Sequence, residues 1–308
     1  MSKKVIWITL ISCFFIGGVV YASTLYNDVS TTIQTIQEPE IRKISDLRTT
    51  EVELEKKEPF SLLILGVDER DHDKGRSDTI IVLTVNPSND STKMVSIPRD
   101  TYTEIIGKDK LDKVNHAYAF GGIDMALNTV ENLLNIPIDY ILQVNMESFL
   151  EIVNIVGGVT IENENAFEVN GYTFSKGTIH LNGEQALDYV RMRKDDPHGD
   201  FGRQARQKQV LQAILKEGAS FNSLWKYKEF LSSIQQNIRT NMTFEQMIDI
   251  QKGYKNTITK IEPIAFEKGE GKKIDGIWYY IVDKEELDNI TEELRRHLEL
   301  KTKLNNDK

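Results

Sequence analysis

The sequence predicts an α/β fold in which helices cover both faces of a central sheet. Two observations lead to this fold class. Uncharged runs with the length of buried strands alternate along the chain with segments whose apolar residues recur at helical spacing. In addition, 40% of the 308 residues are hydrophobic and 28% are charged, which is typical of a globular protein. Interleaved strands and helices build a sheet that is covered on both sides.

The N-terminus has the pattern of a membrane anchor. Lys3 and Lys4 precede residues 5–26, which carry no charge, and about 20 apolar residues span a bilayer as a helix. Because lysines stay on the cytoplasmic side, we expect residues 1–4 in the cytoplasm and one transmembrane helix at 5–26. The protein would then be a single-pass type II protein of the cell membrane, with the rest of the chain extracellular. A cleaved signal peptide is the alternative, since Val20-Tyr21-Ala22 resembles a small-residue cleavage site.

The next residues, 27–59, are polar, mixed in charge and free of glycine, which is typical of an extracellular linker. Folded character begins at Phe60, and no later stretch resembles a second linker. One domain is therefore expected over 60–300, followed by a polar tail at 301–308. The formal net charge of -9 disfavours nucleic acid as a partner, and the single cysteine, Cys13, excludes a disulfide framework.

Buried strands are expected where uncharged and often β-branched residues run together. The first two, 60–65 and 79–85, flank a charged loop, and the third, 92–97, stops at Pro98. Further strands or hairpin arms are expected at 138–144, 159–161, 171–179 and 277–282.

Helices are expected where apolar residues recur at intervals of three or four. One begins at Gly121-Gly122 and ends before Pro137. Another, over 243–254, has Thr243 as its N-cap and Gln246 at the capping-box position. The remaining helices are expected at 148–156, 183–189, 202–217 and 284–300.

Dense mixed charge fills the loop between the first two strands, GVDERDHDKGRSD at 66–78. Asp68 and Asp78 lie at the two ends of this loop, each beside a strand end, so that the two carboxylates can converge. Two carboxylates without a nearby cysteine or paired histidine suit a hard, oxygen-liganded cation such as Mg2+. From spacing alone, a solvated charged loop is the alternative.

Arginines form a second group of candidate site residues. In the segment 189–193 (YVRMR), strand-like alternation places Arg191 and Arg193 on one face. Arg76 and Arg99 lie beside other strand ends. Several guanidinium groups beside a dicarboxylate metal site suit a pyrophosphate.

The helix over 202–217 carries polar residues on the side that should face the core. Arg203 and Gln207 share this side with apolar residues when the chain is placed at helical periodicity. A half-buried arginine there needs an anion. An internal ion pair with Asp196 or Asp200 is the alternative to a bound substrate.

The histidines give little indication of function, because no two have metal-ligand spacing. His116 is the exception to note, since it lies in DKVNH at 112–116. Lys113 in the same motif is either a phosphate contact or a solvated loop lysine. The sequence contains no nucleophile elbow, no Walker loop and no GxGxxG, so neither a serine hydrolase nor a nucleotide-driven enzyme is indicated.

Several long motifs between about residues 60 and 298 occur in an order that is specific to one family. They are GVDERDHDKGRSDT, VSIPRDTY, DKVNHAYAFGG, PIDYILQVN, GGVTIE, LNGEQALDYVRMRKDDPHGDFGRQARQKQVLQAIL and DGIWYYIV. With these motifs the chain resembles the LytR-CpsA-Psr family, and within it the teichoic-acid transferase type. Members are cell-envelope proteins of mostly Gram-positive bacteria.

The resemblance implies a three-layer α/β/α sandwich with a central mixed sheet and an apolar cleft that binds a polyprenyl chain. It also implies Mg2+-dependent transfer of a glycopolymer phosphate from undecaprenyl pyrophosphate to the muramic acid 6-hydroxyl of peptidoglycan. By motif, Asp68 and Asp78 would bind the metal. Arg76, Arg99, Asp200 and Arg203 would be catalytic, and Lys113, Arg191, Arg193, Arg203 and Gln207 would bind substrate.

Two rival functions are compatible with the same sequence. A lipid pyrophosphatase would use water as the acceptor, and a non-catalytic scaffold would need only the cleft for a polyprenyl phosphate. A transferase also needs a route for the proton of the acceptor hydroxyl, and Asp200 and Asp100 are both candidates for a base.

Overall fold

The computed structural model of the protein describes residues 30–31, 34–35, 37, 41–42, 44–68, 75–193, 196, 199–219 and 238–300. The strands of this part are β1 (Phe60–Val67), β2 (Ser77–Asn86), β3 (Ser91–Ser96), β4 (Tyr102–Ile105), β5 (Lys110–Lys113), β6 (Tyr140–Asn145), β7 (Val159–Asn163), β8 (Phe167–Val169), β9 (Tyr172–Phe174), β10 (Gly177–Leu181), β11 (Ile238–Thr240), β12 (Ile261–Ile264), β13 (Glu270–Ile274) and β14 (Ile277–Ile281). Its helices are α1 (His116–Leu134), α2 (Met146–Ile155), α3 (Gly183–Arg191), α4 (Gly199–Ala219), α5 (Phe244–Gly253), α6 (Lys255–Ile258) and α7 (Lys284–His297).

Six strands form one mixed sheet in the order β11-β6-β1-β2-β3-β12. β2 is antiparallel to β1 and β3, whereas β6 is parallel to β1. The strands predicted at 60–65, 79–85, 92–97 and 138–144 correspond to β1, β2, β3 and β6, which confirms the centre of the sheet. Because of these directions, the carboxyl ends of β1, β3 and β6 and the start of β2 lie at one end of the sheet.

The central strands are buried on both faces, which explains their continuous apolar sequences. Leu63 and Leu65 of β1 belong to a core that includes residues of α1 and α7. Ile64, which points to the opposite face, belongs to a second core with Leu211 and Leu215 of α4. Helices therefore pack on both sides of the mixed sheet, as expected.

α1 is interrupted at Gly121 and Gly122, where the backbone leaves helical geometry. Gly122 has a φ of 66°, a conformation that glycine adopts without a steric penalty. The part after the interruption is the helix expected from the sequence, and its buried residues include Ala126, Val130 and Leu134. The turn before it, 116–120, is not among the predicted elements.

The other predicted helices correspond to α2, α3, α4, α5 and α7. Thr243 and Gln246 form the expected capping box of α5. The expectation of an extended 189–193 segment is wrong, because α3 runs as far as Arg191. A capping box between Asn182 and Gln185 starts this helix, and it continues through the tyrosine of YVRMR.

The chain before Phe60 already packs on the domain. Ile41 and Leu54 are both 5% exposed, and Ile41 belongs to the core beneath α1. Arg48 Nε donates to Asp139 Oδ1 at 2.5 Å. The packed region therefore begins by residue 41, earlier than the boundary predicted at Phe60, since isolated apolar residues in a charged segment give no periodic signal.

None of the helices within the described ranges is long and apolar enough to cross a membrane. The predicted anchor at 5–26 and the predicted tail at 301–308 lie outside the described residues.

Candidate active site

The site forms where strands of the central sheet end together. Asp68 follows β1, and its backbone amide donates to the carbonyl of Arg76 at 3.3 Å across the charged loop. Asp78 is the second residue of β2, and Arg99 follows β3 just after Pro98. The antiparallel pairing of β2 with both neighbours brings these residues to one end of the sheet.

A cavity of about 460 Å³ opens at this end. Its walls carry three carboxylates and three cationic side chains. The lining residues are Asp68, Gly75, Arg76, Asp78, Arg99, Asp100, Lys113, Asn115 and Ala119. The structure thus brings together five residues predicted from the sequence: Asp68, Arg76, Asp78, Arg99 and Lys113.

Asp78 is held by two donors. Arg99 Nη1 donates to Asp78 Oδ2 at 2.7 Å, and Asn115 Nδ2 donates to Asp78 Oδ1 at 3.1 Å. Asn115 occupies the N-cap position of α1, yet its side chain makes no capping hydrogen bond. Its Oδ1 atom is buried and has no hydrogen-bond partner within the part of the chain that the structure describes. The side-chain amide of Asn115 therefore binds Asp78 and does not cap the helix.

Lys113 and Asp100 form a second polar contact in the cavity. Lys113 Nζ donates to Asp100 Oδ1 at 2.7 Å, and Arg99 Nε lies 3.7 Å from Asp100 Oδ2. Asp100 thus lies between two cations. An anion that entered the cavity would compete with this carboxylate for both of them.

Lys113 is positioned by the β4–β5 hairpin and by the contact of Asp112 with His116 at the end of that hairpin. His116 Nδ1 lies 2.9 Å from Asp112 Oδ1, which also accepts from the backbone amide of Lys113 at 2.8 Å. Burial alone would raise the pKa of Asp112, but the hydrogen bonds from Lys110, Lys113 and His116 lower it to about 2. A charged Asp112 therefore ties the hairpin to the first turn of α1.

The helix α4 places Arg203 as the sequence predicts. Arg203 is 8% exposed and lies in the same stripe as the fully buried Val210. Asp196, one of the two partners suggested for this arginine, forms an ion pair with Arg206. Arg206 also donates from Nε to the carbonyl of Tyr189 at 2.9 Å, so the next arginine of the helix makes the structural contacts.

The other predicted substrate contacts do not line this cavity. Arg203 and Gln207 of α4 are not among its lining residues, and the side chains of Arg191 and Arg193 are exposed. The side chain of Asp200 lies outside the described residues. The cavity therefore contains the half of the predicted site that comes from the sheet and from the β4–β5 hairpin.

A second cavity, of about 410 Å³, adjoins the first, because Pro98 lines one and Arg99 the other. It lies between α4 and the edge of the sheet. Its lining residues are Ser96, Pro98, Phe201, Gln204, Ala205, Lys208, Ile264, Ala265, Phe266 and Glu267. Burial lowers the pKa of Lys208 in its wall, although the nearby Glu267 acts in the opposite direction.

The cavity residues suit the Mg2+ ion expected from the sequence. Within the described ranges, no group of three or more acidic, histidine or cysteine side chains is arranged to hold a metal. Mg2+ does not need such a group, because it is commonly bound by one or two carboxylates together with waters and substrate phosphates. Asp68 and Asp78 supply two carboxylates, and the unpartnered Asn115 Oδ1 adds a buried oxygen beside them.

Comparison with known proteins identifies the chain. The model of the LytR_cpsA_psr family matches residues 20–296. The chain belongs to this family. Within it, the Bacillus mycoides (strain KBAB4) protein named polyisoprenyl-teichoic acid--peptidoglycan teichoic acid transferase TagU is 52% identical over 302 residues, which cover 97% of this chain and 99% of that protein.

Solved structures of LytR_cpsA_psr proteins have the same fold. Bacillus subtilis TagU matches with a TM-score of 0.66 and 50% identity, covering 80% of this chain and 99% of that one. The structure of TagT bound to LIIa-WTA matches with a TM-score of 0.72 and 31% identity, covering 83% and 97%. The protein is thus an enzyme, a transferase of the LytR_cpsA_psr family with an α/β fold.

Proposed function

We propose that this transferase moves a glycopolymer phosphate, that of a wall teichoic acid or a related wall polymer, from undecaprenyl pyrophosphate to the muramic acid 6-hydroxyl of peptidoglycan. The cavity that joins Asp68 and Asp78 with Arg76, Arg99 and Lys113 is the observation that carries the proposal. Carboxylates for a metal and cations for phosphate oxygens are the groups that pyrophosphate chemistry requires. The names of the relatives support a teichoic acid polymer as the transferred group.

In this proposal Asp68 and Asp78 would hold Mg2+, which would supply positive charge to neutralise the pyrophosphate. Arg99 and Asn115 fix the orientation of Asp78 through the hydrogen bonds at 2.7 Å and 3.1 Å. Arg76 and Lys113 lie on the cavity wall, where they can bind phosphate oxygens that gain negative charge in the transition state. Arg203 and Gln207 on α4 remain candidates for the far side of the pyrophosphate.

The transfer step needs no nucleotide, because the lipid pyrophosphate bond supplies the energy. The acceptor oxygen attacks the phosphorus that carries the glycopolymer, and the bond between this phosphorus and the bridging oxygen breaks. Undecaprenyl phosphate leaves, and the hydroxyl proton passes to a base. Asp100 lines the cavity and is the better supported candidate for this base. To accept the proton, Asp100 would first have to release its hydrogen bond with Lys113 at 2.7 Å.

The second cavity offers a place for the polyprenyl chain. It adjoins the phosphate-binding residues, and Phe201 and Phe266 give it apolar walls. The core beneath α4, which includes Leu211 and Leu215, continues along the same face of the sheet. We therefore assign the apolar cleft to the space between α4 and this face. The enzyme would work outside the cell, anchored by residues 5–26.

The purified full-length protein, incubated with a labelled lipid-linked glycopolymer and uncrosslinked peptidoglycan, tests this function. Wild-type protein should attach label to peptidoglycan and release lipid phosphate. Asp78→Asn should lower the rate by about a hundredfold or more, since it removes a charge from the phosphate site. Asp288→Asn, an exposed substitution on α7, is the matched control and should leave the rate unchanged.

The products distinguish the rival functions. Glycopolymer phosphate released into solution without attachment to peptidoglycan would identify a hydrolase. Binding of the lipid without turnover would identify a scaffold. Full activity in both Asp78→Asn and Arg99→Ala would show that the cavity is not the active site.

A further inference from the structure

Exposed apolar side chains are concentrated around the two cavities. Seven large apolar residues of the described chain are exposed, and five of them form what we name the apolar rim: Leu111, Phe120, Phe201, Ile277 and Trp278. Each rim residue is between 39% and 56% exposed. Isolated exposed apolar residues need no explanation, but a concentration of them at one end of a molecule marks an interaction surface.

The rim residues come from four elements, β5, α1, α4 and β14. Tyr279 of β14 packs against Tyr102 of β4, with ring centroids 4.8 Å apart. On the other face of β14, Tyr280 packs against Phe201 of α4 at 5.9 Å. The hairpin that carries Ile277 and Trp278 therefore lies between the β4–β5 hairpin and the start of α4.

The same elements border both cavities. The backbone amide of Tyr280 donates to the carbonyl of Asp100, a lining residue of the first cavity, at 2.9 Å. Phe120 follows Ala119, which also lines the first cavity, and Phe201 lines the second. The apolar rim thus lies at the entrance to the proposed active site.

Lysines are interspersed with the apolar rim. Lys110 Nζ lies 4.2 Å from the ring centroid of Phe120, and Lys108 Nζ lies 5.8 Å from it. Lys272 and Lys273 are exposed on β13, beside the strand that carries Trp278. Exposed lysines beside tryptophan and aliphatic residues are typical of surfaces that lie in the headgroup region of a bilayer.

We propose that the apolar rim rests in the headgroup layer of a phospholipid membrane, with Trp278 and Ile277 inserted and the four lysines bound to lipid phosphates. This orientation points both cavities at the bilayer. A lipid-linked substrate can then reach the phosphate site while its polyprenyl chain stays in an apolar environment. The inference rests on the proposed extracellular anchoring and on the lipid nature of the donor.

The length of the N-terminal segment favours a membrane over a protein or a glycan as the occupant. Gln37 forms a bridge with Thr240 of the sheet, so only the ten residues 27–36 lie between this point and the end of the predicted anchor. Fully extended, such a segment spans roughly 35–40 Å. The domain therefore lies no farther from the bilayer than this extended segment reaches, and one of its surfaces must face the lipid.

Fluorescence of Trp278 tests the proposal independently of catalysis. The chain contains tryptophan at 7, 225 and 278, so Trp7→Phe with Trp225→Phe leaves Trp278 as the only fluorophore. This full-length variant is reconstituted into vesicles of phosphatidylglycerol and phosphatidylcholine with brominated acyl chains. We expect quenching of Trp278 and a blue shift relative to vesicles without bromine.

A reporter at the opposite end serves as the control. Leu47→Trp, made in a chain that also carries Trp7→Phe, Trp225→Phe and Trp278→Phe, places the fluorophore on an exposed residue next to Arg48, which contacts Pro59 just before the start of β1. It should show no bromine quenching. An unquenched Trp278, or equal quenching of both reporters, would overturn the proposal.

A second measurement connects the rim to substrate supply. Ile277→Ser with Trp278→Ser should raise the apparent KM for a vesicle-embedded donor by about tenfold, because each lost apolar contact weakens membrane binding. The KM for a short-chain, water-soluble donor should be unchanged. Equal losses with both donors would show that the rim acts in catalysis or folding. A wild-type protein that transfers neither donor would refute the proposed function, while the quenching result would still decide the orientation.

Discussion

Replacing Asn115 with alanine removes the amide that donates to Asp78 Oδ1 at 3.1 Å. The substitution separates two roles that one residue could have. Asn115 occupies the N-cap position of α1, where asparagine usually accepts a hydrogen bond from the helix backbone, but here its side chain forms no such bond. The variant should therefore affect the site more than the helix.

The size of the effect follows from the contacts. A hydrogen bond to a charged group contributes about 1.5–3 kcal/mol. The side chain of Asp78 is 33% exposed, so that water replaces part of the lost interaction and the lower end of this range applies. A loss of about 1.5 kcal/mol corresponds to roughly a tenfold decrease in kcat/KM. The same hydrogen bond also contributes to folding, so the free energy of unfolding should fall by no more than about 1.5 kcal/mol, because no capping bond is lost with it.

Two measurements on the same variant check this prediction. Steady-state transfer from a lipid-linked donor gives kcat/KM, and urea denaturation gives the free energy of unfolding. Asn182→Ala is the matched control, because the side chain of Asn182 does cap α3 through a hydrogen bond from the Gln185 amide. That variant should lose about 1 kcal/mol of stability and keep its kcat/KM.

The opposite pattern would refute the reasoning. If Asn115→Ala kept wild-type kcat/KM but lost as much stability as Asn182→Ala, Asn115 would be an ordinary helix cap. The contact with Asp78 would then have no part in positioning the carboxylate.

Two further predictions concern stability. His297 is buried, with its ring nitrogens 2.8 Å from Thr84 Oγ1 and 3.0 Å from Ser91 Oγ, and burial followed by the charge of Lys93 lowers its pKa. The stability contributed by the neutral ring is therefore present above pH about 6.5 and is lost as the pH falls toward the folded-state pKa. Urea denaturation at several pH values should show this loss in the wild-type protein. The free energy of unfolding should depend less on pH in His297→Gln. Arg206→Met should lower the free energy of unfolding by about 3–5 kcal/mol, since it removes the cation of the ion pair with Asp196, whose side chain is 4% exposed. A loss below about 1 kcal/mol in the same assay would show that this ion pair is not important for folding.

The central sheet could be predicted because its strands are buried on both faces. An uncharged run such as 79–85 reflects that environment directly, and the structure places it in β2. The burial of Arg203 could also be predicted, because its position in the helical repeat coincides with that of Val210.

The β4–β5 hairpin could not be predicted in this way. Its second strand, Lys110–Lys113, has no buried residue, so neither alternation nor an apolar run marks it. The role of Asn115 was missed for a different reason. Local sequence indicates a helix start at such a residue, whereas its actual partner, Asp78, is 37 residues away and is brought near only by the fold.

The interruption at Gly121 and Gly122 divides α1 into two pieces that pack in different surroundings. The long piece is held in the core by Ala126, Val130 and Leu134, and any rotation of it would disturb that packing. The short piece carries Ala119 on the cavity wall and Phe120 on the apolar rim. A Cβ atom at Gly122 would contact no neighbouring atom, whereas one at Gly121 would lie 2.7 Å from Met125 Cβ, so the joint is open at one glycine and closely packed at the other. A change in the angle at this joint would move the cavity wall at Ala119 and leave the long piece in the hydrophobic core.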